Sequence, residues 1–262
     1  MAKRKLKVAV ISDVHLGFLG AKAKEVNKYL KSIDPEILVI NGDFIDIWQF
    51  RTYYFPKSHG KALHRIFAMA ADGTKVYLLT GNHDEALRQY SGITIGNIHL
   101  EDKLLLDLDG KKHWFFHGDI FDVTMRGSRW LAKLGTTGYE LLILINKLFN
   151  MLRFVLGMEN INFTKAVKDA TKRGVKKLGD YEMAAANIAI DEGYDFVVNG
   201  HIHLPIIKKI TTENGSVTYM NSGDWVENMT ALEYNDGKWD LIHFKDLKFE
   251  NPYLQFDIHD LP

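Results

Sequence analysis

Asn82 and His83 stand side by side in the stretch Gly81-Asn82-His83-Asp84-Glu85, directly after the apolar run KVYLLT. An amide and an imidazole presented where a buried strand ends can serve a metal ion or a phosphoryl oxygen. Four other segments have the same form: Ser-Asp-Val-His with Asp13 and His15, Asn-Gly-Asp with Asp43, Phe-His-Gly-Asp with His117, and Asn-Gly-His-Ile-His with His201 and His203. Two carboxylates, one amide and four imidazoles suit divalent ions of borderline hardness: Mn2+ first, with Fe or Zn as alternatives. Seven donors are too many for one tetrahedral site. They suit two divalent metal ions sharing a carboxylate, for which Asp43 is the natural bridge. Taken singly, each residue has an ordinary explanation, since Asp and Asn form turns and glycine supplies positive φ. Their joint placement at successive strand ends argues for a metal centre.

The elements that must position these residues are legible in the hydrophobic pattern. LKVAVIS, EILVIN and KVYLLT are short β-branched runs that stop at Asp13, Gly42 and Gly81. AKAKEVNKYLKSI and GKALHRIFAMAADG, which lie between them, have helical spacing. That order predicts β-α-β-α-β, a parallel sheet with helices on its faces, whose ligands gather outside the carboxyl ends of the strands. IHLEDKLLLDLDGKKHWFFHGD reads as strands joined by an Asp-Gly turn, and YEMAAANIAIDEG as a helix before the buried strand YDFVVN. The tail alternates and turns at Asn-Asp-Gly, as antiparallel strands do. The whole chain, 1–262, reads as a single domain interrupted over 125–180 by a helical insertion, or lid.

Bulk composition narrows the class of function. Lys+Arg and Asp+Glu each number 33, so the net charge is zero and no nucleic-acid partner is expected. Cysteine is absent, which excludes disulfides and thiolate metal sites and is compatible with a reducing cytoplasm. The apolar run before Asp13 is about six residues, too short for a signal-peptide core. The expected location is cytoplasmic, with peripheral contact on the inner face of the cell membrane as a possibility raised by the insertion.

The motif order D-x-H, G-D-x-x-D, G-N-H-D, H-G-D and G-H-x-H resembles that of the calcineurin-like metallophosphoesterases, whose five motifs are all intact here. The resemblance implies an α/β fold built on a β-sandwich flanked by helices, and a metal-dependent phosphoesterase or diphosphatase. It implies that Asp13, His15, Asp43 and His203 hold one metal, and that Asp43, Asn82, His117 and His201 hold the other. It further implies that His83 faces the phosphoryl group and that Asp84 orients it. Asp46, Asp119 and Asp122 read either as acids that fix the ligating histidines or as loop caps.

Two regions speak to the substrate. FIDIWQFRTYYFP follows Asp43, and Trp48, Arg51, Tyr53 and Tyr54 there could wall a pocket for a base, a sugar or an acyl chain. On the expected helix over 140–157, Asn146, Asn150 and Arg153 form a narrow polar stripe on an otherwise apolar surface. Downstream, Lys165, Lys168, Lys172 and Lys176 recur on one face. A core helix with a solvated basic neighbour, a dimer contact and contact with an anionic membrane all fit that pattern. The insertion and Gly-His-Ile-His-Leu-Pro resemble those of the UDP-2,3-diacylglucosamine diphosphatases of lipid A synthesis, in which Arg stands where this chain has His83. Three readings follow: hydrolysis of a nucleotide-linked lipid diphosphate to UMP and diacylglucosamine 1-phosphate; a soluble phosphodiesterase or phosphatase acting on a small nucleotide or phosphoprotein; and a non-catalytic scaffold on the same fold.

Overall fold

The computed structural model describes residues 3–47, 54–121 and 179–249. Trp48, Arg51, Tyr53, Asp122 and Arg153 lie outside these residues, as does the expected insertion apart from Gly179 and Asp180. The chain divides into two compact units, Met1–Asp119 with Ala185–Pro262, and Ile120–Ala184.

In the first unit, β1 (Arg4–Ile11), α1 (Ala23–Ser32), β2 (Ile33–Asn41), α2 (Lys57–Ala71) and β3 (Lys75–Leu79) follow in the predicted order. β1, β2 and β3 pair in parallel. β4 (Ile93–Ile95) and β5 (Ile98–Glu101) extend the sheet beyond β3, while β11 (Thr230–Asn235) and β12 (Lys238–His243) complete its other side in the order β12-β11-β1-β2-β3-β5-β4. β1 therefore lies between β2 and β11, the latter contributed from the far end of the chain. A second sheet, ordered β6-β7-β8-β10-β9, contains β6 (Lys103–Leu108), β7 (Lys111–Phe116), β8 (Phe196–Asn199), β9 (Ile206–Thr212) and β10 (Gly215–Asn221). The helical residues 179–191 precede β8.

Side-chain alternation sends each strand of the first sheet into two different cores. Ala9, Ile11, Leu38 and Ile40 pack with Val26, Leu30, Ile66 and Met69 of the helices. Val8, Val10 and Val39 point the other way and meet Phe115, Val198 and Met220 of the second sheet. Pattern alone predicted helices on the sheet faces, and here the structure differs. α1 and α2 pack on one face, and the second sheet covers the other. A strand buried on both sides reads the same whatever covers it, so periodicity could not choose. The sandwich implied by the family resemblance is the arrangement observed.

Both Asp-Gly turns form as their sequence requires. Leu108 pairs with Lys111 and Asn235 with Lys238, leaving two-residue loops in which Asp109, Gly110, Asp236 and Gly237 all take positive φ. Helix α1 stops at Ser32, one residue short of the expected span, and Ile33 already opens β2.

Leu38 is fully buried between the first sheet and its helices. Leu38→Ala is expected to cost about 2–5 kcal/mol in urea unfolding, whereas Leu105→Ala, on the half-exposed β6, should cost less than about 0.5 kcal/mol.

Candidate metal centre

The loops after β1 and β2 continue to bond to one another beyond the strands. Asp13 N–H donates to the Gly42 carbonyl at 3.1 Å, His15 N–H to the Asp43 carbonyl at 2.9 Å and Leu16 N–H to the Phe44 carbonyl at 2.9 Å. This pairing holds Asp13, His15 and Asp43 with φ of 53°, 51° and 52°, a left-handed region sparsely used by residues other than glycine. His201 and His203, in the loop after β8, are left-handed too, at 66° and 52°. Five of the seven expected donors therefore sit on unfavourable backbone, as is common where a site imposes its geometry. Gly81 makes room for the assembly: a Cβ there would lie 2.2 Å from Asp43 Oδ1.

Each buried carboxylate is clamped by a loop other than its own. His83 N–H donates to Asp43 Oδ1 at 2.8 Å, and His201 N–H to Asp13 Oδ2 at 3.0 Å. The opposite oxygens face imidazoles. Asp43 Oδ2 lies 3.3 Å from His117 Nε2 and 3.9 Å from His15 Nε2, and Asp13 Oδ1 lies 3.1 Å from His203 Nε2. Among the described residues, Asp13, His15 and His203 form one group able to converge on an ion, and Asp43, His117 and His201 form another. His15, Asp43 and His83 make a third, so His83 stands closer to the metal-binding donors than the resemblance implied.

The donor chemistry fits two ions. The Asn41 carbonyl lies 2.9 Å from His117 Nδ1 and can only accept, so Nδ1 carries the proton and Nε2 turns its lone pair into the site. His117 Nε2, His15 Nε2 and Asn82 Oδ1 are buried with no hydrogen-bond partner among the described residues. Buried polar atoms are rarely left unsatisfied, and a cation would satisfy all three.

Electrostatics point the same way. Burial opposes charge on Asp13, yet His203 and His117 hold its carboxyl down at about 2. Asp43, equally opposed by burial, is held well below the usual carboxylate range by His117 and His15. Burial would depress both imidazoles, but Asp43 and Asp13 raise His117 well above its ordinary value, and Asp13 raises His203 to about 9.

Asp84 bonds to backbone amides of two loops. Its Oδ1 accepts from Gly81 N–H at 2.6 Å and its Oδ2 from Phe44 N–H at 2.9 Å, so it ties the loops after β2 and β3 together. Burial, with Asp43 nearby, pushes this carboxyl up to about 6. The acid facing His83 is Asp46, whose Oδ2 lies 3.1 Å from His83 Nδ1 and 3.7 Å from His15 Nδ1. Asp119 pairs with Arg88 at 2.9 Å. Of the expected substrate wall only Tyr54 is described; it is half-exposed, and its ring lies 5.8 Å from that of His59.

Trp225 and Glu227 had no role assigned from sequence; the segment Ser222–Met229 bonds to the loops that carry Asp13 and His203. Trp225 is buried, and its N–H donates to the Asp13 carbonyl at 3.0 Å. Asp224 Oδ1 accepts from Val226 N–H at 2.8 Å and Glu227 N–H at 2.6 Å, while the Asn228 amide donates to the His203 carbonyl at 2.8 Å. The legible signal was Asp followed by open amides two and three residues on, a side-chain-capped turn.

The raised imidazoles set a sign for pH dependence. His203 binds its proton more tightly folded than unfolded, so its contribution to metal-free stability is full below about 6.5 and is lost as pH rises through about 9. The melting temperature of chelator-treated protein should fall across that window. Calorimetry in buffers of differing ionisation enthalpy should show proton release on Mn2+ binding at pH 7, with affinity rising towards pH 9, because ligation needs the neutral ring.

Comparison with known proteins agrees with this geometry. The family model for calcineurin-like phosphoesterases matches residues 6–205. A protein from Aliivibrio fischeri named UDP-2,3-diacylglucosamine hydrolase is 25% identical over 93% of this chain and all of its own length. One of the same name from Pseudomonas putida is 25% identical over 91% of this chain and 99% of its own. Among solved structures, the phosphoesterase YfcE from E. coli aligns with a TM-score of 0.47 and 15% identity, covering 91% of this chain and 93% of that one. With the sandwich, the five motif loops and the two donor groups in place, the chain belongs to the calcineurin-like phosphoesterase family of metal-dependent hydrolases.

Proposed function

We propose that this hydrolase acts on a diphosphate linking uridine to a diacylated glucosamine, releasing UMP and diacylglucosamine 1-phosphate as in lipid A synthesis. The observation that carries the chemistry is the pair of donor groups, Asp13–His15–His203 and Asp43–His117–His201, with Asp43 also within reach of His15. Asn82 joins the second group through its buried Oδ1. The substrate class is supported by relatives about 25% identical over nearly the whole chain. Two bound divalent ions would supply Lewis-acid charge and lower the pKa of water near neutrality.

The residues of the chain account for the remainder. Asp13 and Asp43 bring fixed negative charge that two cations neutralise, leaving net positive potential for the diphosphate. His83 sits at the rim, about one-sixth exposed, with Nδ1 held towards Asp46, and in this reading its other nitrogen faces the phosphoryl group or leaving oxygen. Water oxygen bonds to the uridine-bearing phosphorus, the bond to the bridging oxygen breaks, and the imidazole stabilises charge or delivers a proton there. The 125–180 insertion serves in this reading as a lid over the acyl chains, with Trp48, Arg51, Tyr53, Tyr54 and Arg153 along the substrate. Contact is then peripheral, and among the described residues no helix is long and apolar enough to cross a membrane.

A second reading, a soluble phosphodiesterase, is favoured by His83 itself, since the lipid-specific enzymes that the motifs resemble carry Arg there. Incubation of the Mn2+-loaded protein with UDP-2,3-diacylglucosamine and with bis-p-nitrophenyl phosphate separates the two. UMP release from the lipid alone is expected; turnover of the small diester alone would overturn the lipid assignment.

His83→Ala should keep both metals by elemental analysis while lowering kcat roughly 10²–10⁴-fold. Asp46→Asn should lower kcat less, roughly tenfold, and move the His83 titration downwards by NMR, because its carboxylate raises that pKa against the opposing effect of burial.

A further inference from the structure

α1 and α2 leave an open groove of about 510 Å³ between them, and none of the expected metal ligands is among its lining residues. Lys24, Lys28 and Lys31 line it from α1, and Lys57 and Lys61 from α2, with no acidic residue in the lining among the described residues. The spacing explains the alignment: positions i, i+4 and i+7 on one helix, and i and i+4 on the other, each form a single stripe. None of the five ammonium groups has a charged partner among the described residues. In a chain with zero net charge this is a strong local excess.

We propose that this groove is a docking surface for anionic phospholipid headgroups. Its chemistry favours that occupant over others. Lysine is a strongly hydrated point charge suited to a diffuse phosphate layer, whereas a discrete phosphorylated ligand calls for planar arginine forks and buried anchors, absent from the lining among the described residues. A nucleic-acid strand would look for stacking rings, and among the described residues no aromatic side chain lines the groove. Leu19, in the loop entering α1, is 76% exposed, and Tyr54, shortly before α2, is half-exposed. Lysines beside a protruding leucine combine electrostatic attraction with shallow apolar insertion. The same loops descend from Asp13, His15 and Asp43, so a bilayer adsorbed here stands beside the entrance to the metal centre. The surface bears on the lipid-substrate reading, because that substrate would be presented from the bilayer, but adsorption is measurable without any substrate.

The test is co-sedimentation of full-length, Mn2+-loaded protein with vesicles of phosphatidylcholine alone or mixed with phosphatidylglycerol. The triple variant Lys24→Gln/Lys28→Gln/Lys61→Gln should lose roughly 10²-fold in partitioning onto mixed vesicles, about fivefold per lysine, with little binding of either protein to neutral ones. Wild-type binding should weaken as salt rises. Retained Mn2+ binding and circular dichroism establish that the variant is folded. Equal partitioning of variant and wild type would overturn the proposal. So would loss confined to Lys165→Gln/Lys168→Gln/Lys172→Gln in the insertion, or groove-dependent binding of polyglutamate or an oligonucleotide stronger than that of the mixed vesicles. Absence of UMP release with adsorption intact would leave this surface standing and remove only the substrate assignment.

Discussion

Two carboxylates with almost no contact with water, Asp13 and Asp43, impose the central constraint on this molecule. Isolated buried charge is costly, and it persists only with positive partners or donors close by. Here the compensation comes from imidazoles and backbone amides on loops far apart in sequence, with His83 N–H on Asp43 and His201 N–H on Asp13. The sandwich exists in a form that brings those loops to one end. Strands of the first sheet deliver Asp13, Asp43 and Asn82, and strands of the second deliver His117, His201 and His203. Packing between Val8, Val10 and Val39 on one side and Phe115, Val198 and Met220 on the other therefore sets the distance between the two halves of the site.

Much of this was legible in the residues because it depends on local pattern. β-Branched runs ending in Asp, Asn or His marked the strands and their carboxyl ends, and Asp-Gly marked two hairpins. The motif order singled out candidate donors, and among the described residues Asp13, His15 and His203, and Asp43, His117 and His201, lie close enough together to hold an ion. What sequence could not supply was anything decided by which loop lies over which. Asp84 was expected to orient His83 because the family resemblance implied it. In space it turns back to the amides of Gly81 and Phe44, and Asp46 takes the place beside the ring. Asn228 likewise acts on His203 across 25 residues, a separation with no local signature.

The helices show the same limit from the outside. Each amphipathic pattern gave a core face and a solvated lysine face, and nothing within either segment required the two faces to adjoin. Only their parallel seating on one side of the first sheet turns two ordinary polar stripes into one basic groove. Tertiary placement, rather than composition, creates that charge density, which is why a chain of zero net charge can carry it.

β1 pairs on one side with β2, the next strand made, and on the other with β11, which begins at Thr230. During synthesis β1 thus keeps an open edge until the residues through β11 have followed. Contacts of such long sequence separation slow folding, and an exposed strand edge invites association with other chains in the interval. Nascent chains are accordingly at risk of clumping until β11 has emerged, and a stop before the β11–β12 hairpin would leave the sheet unfinished at its middle.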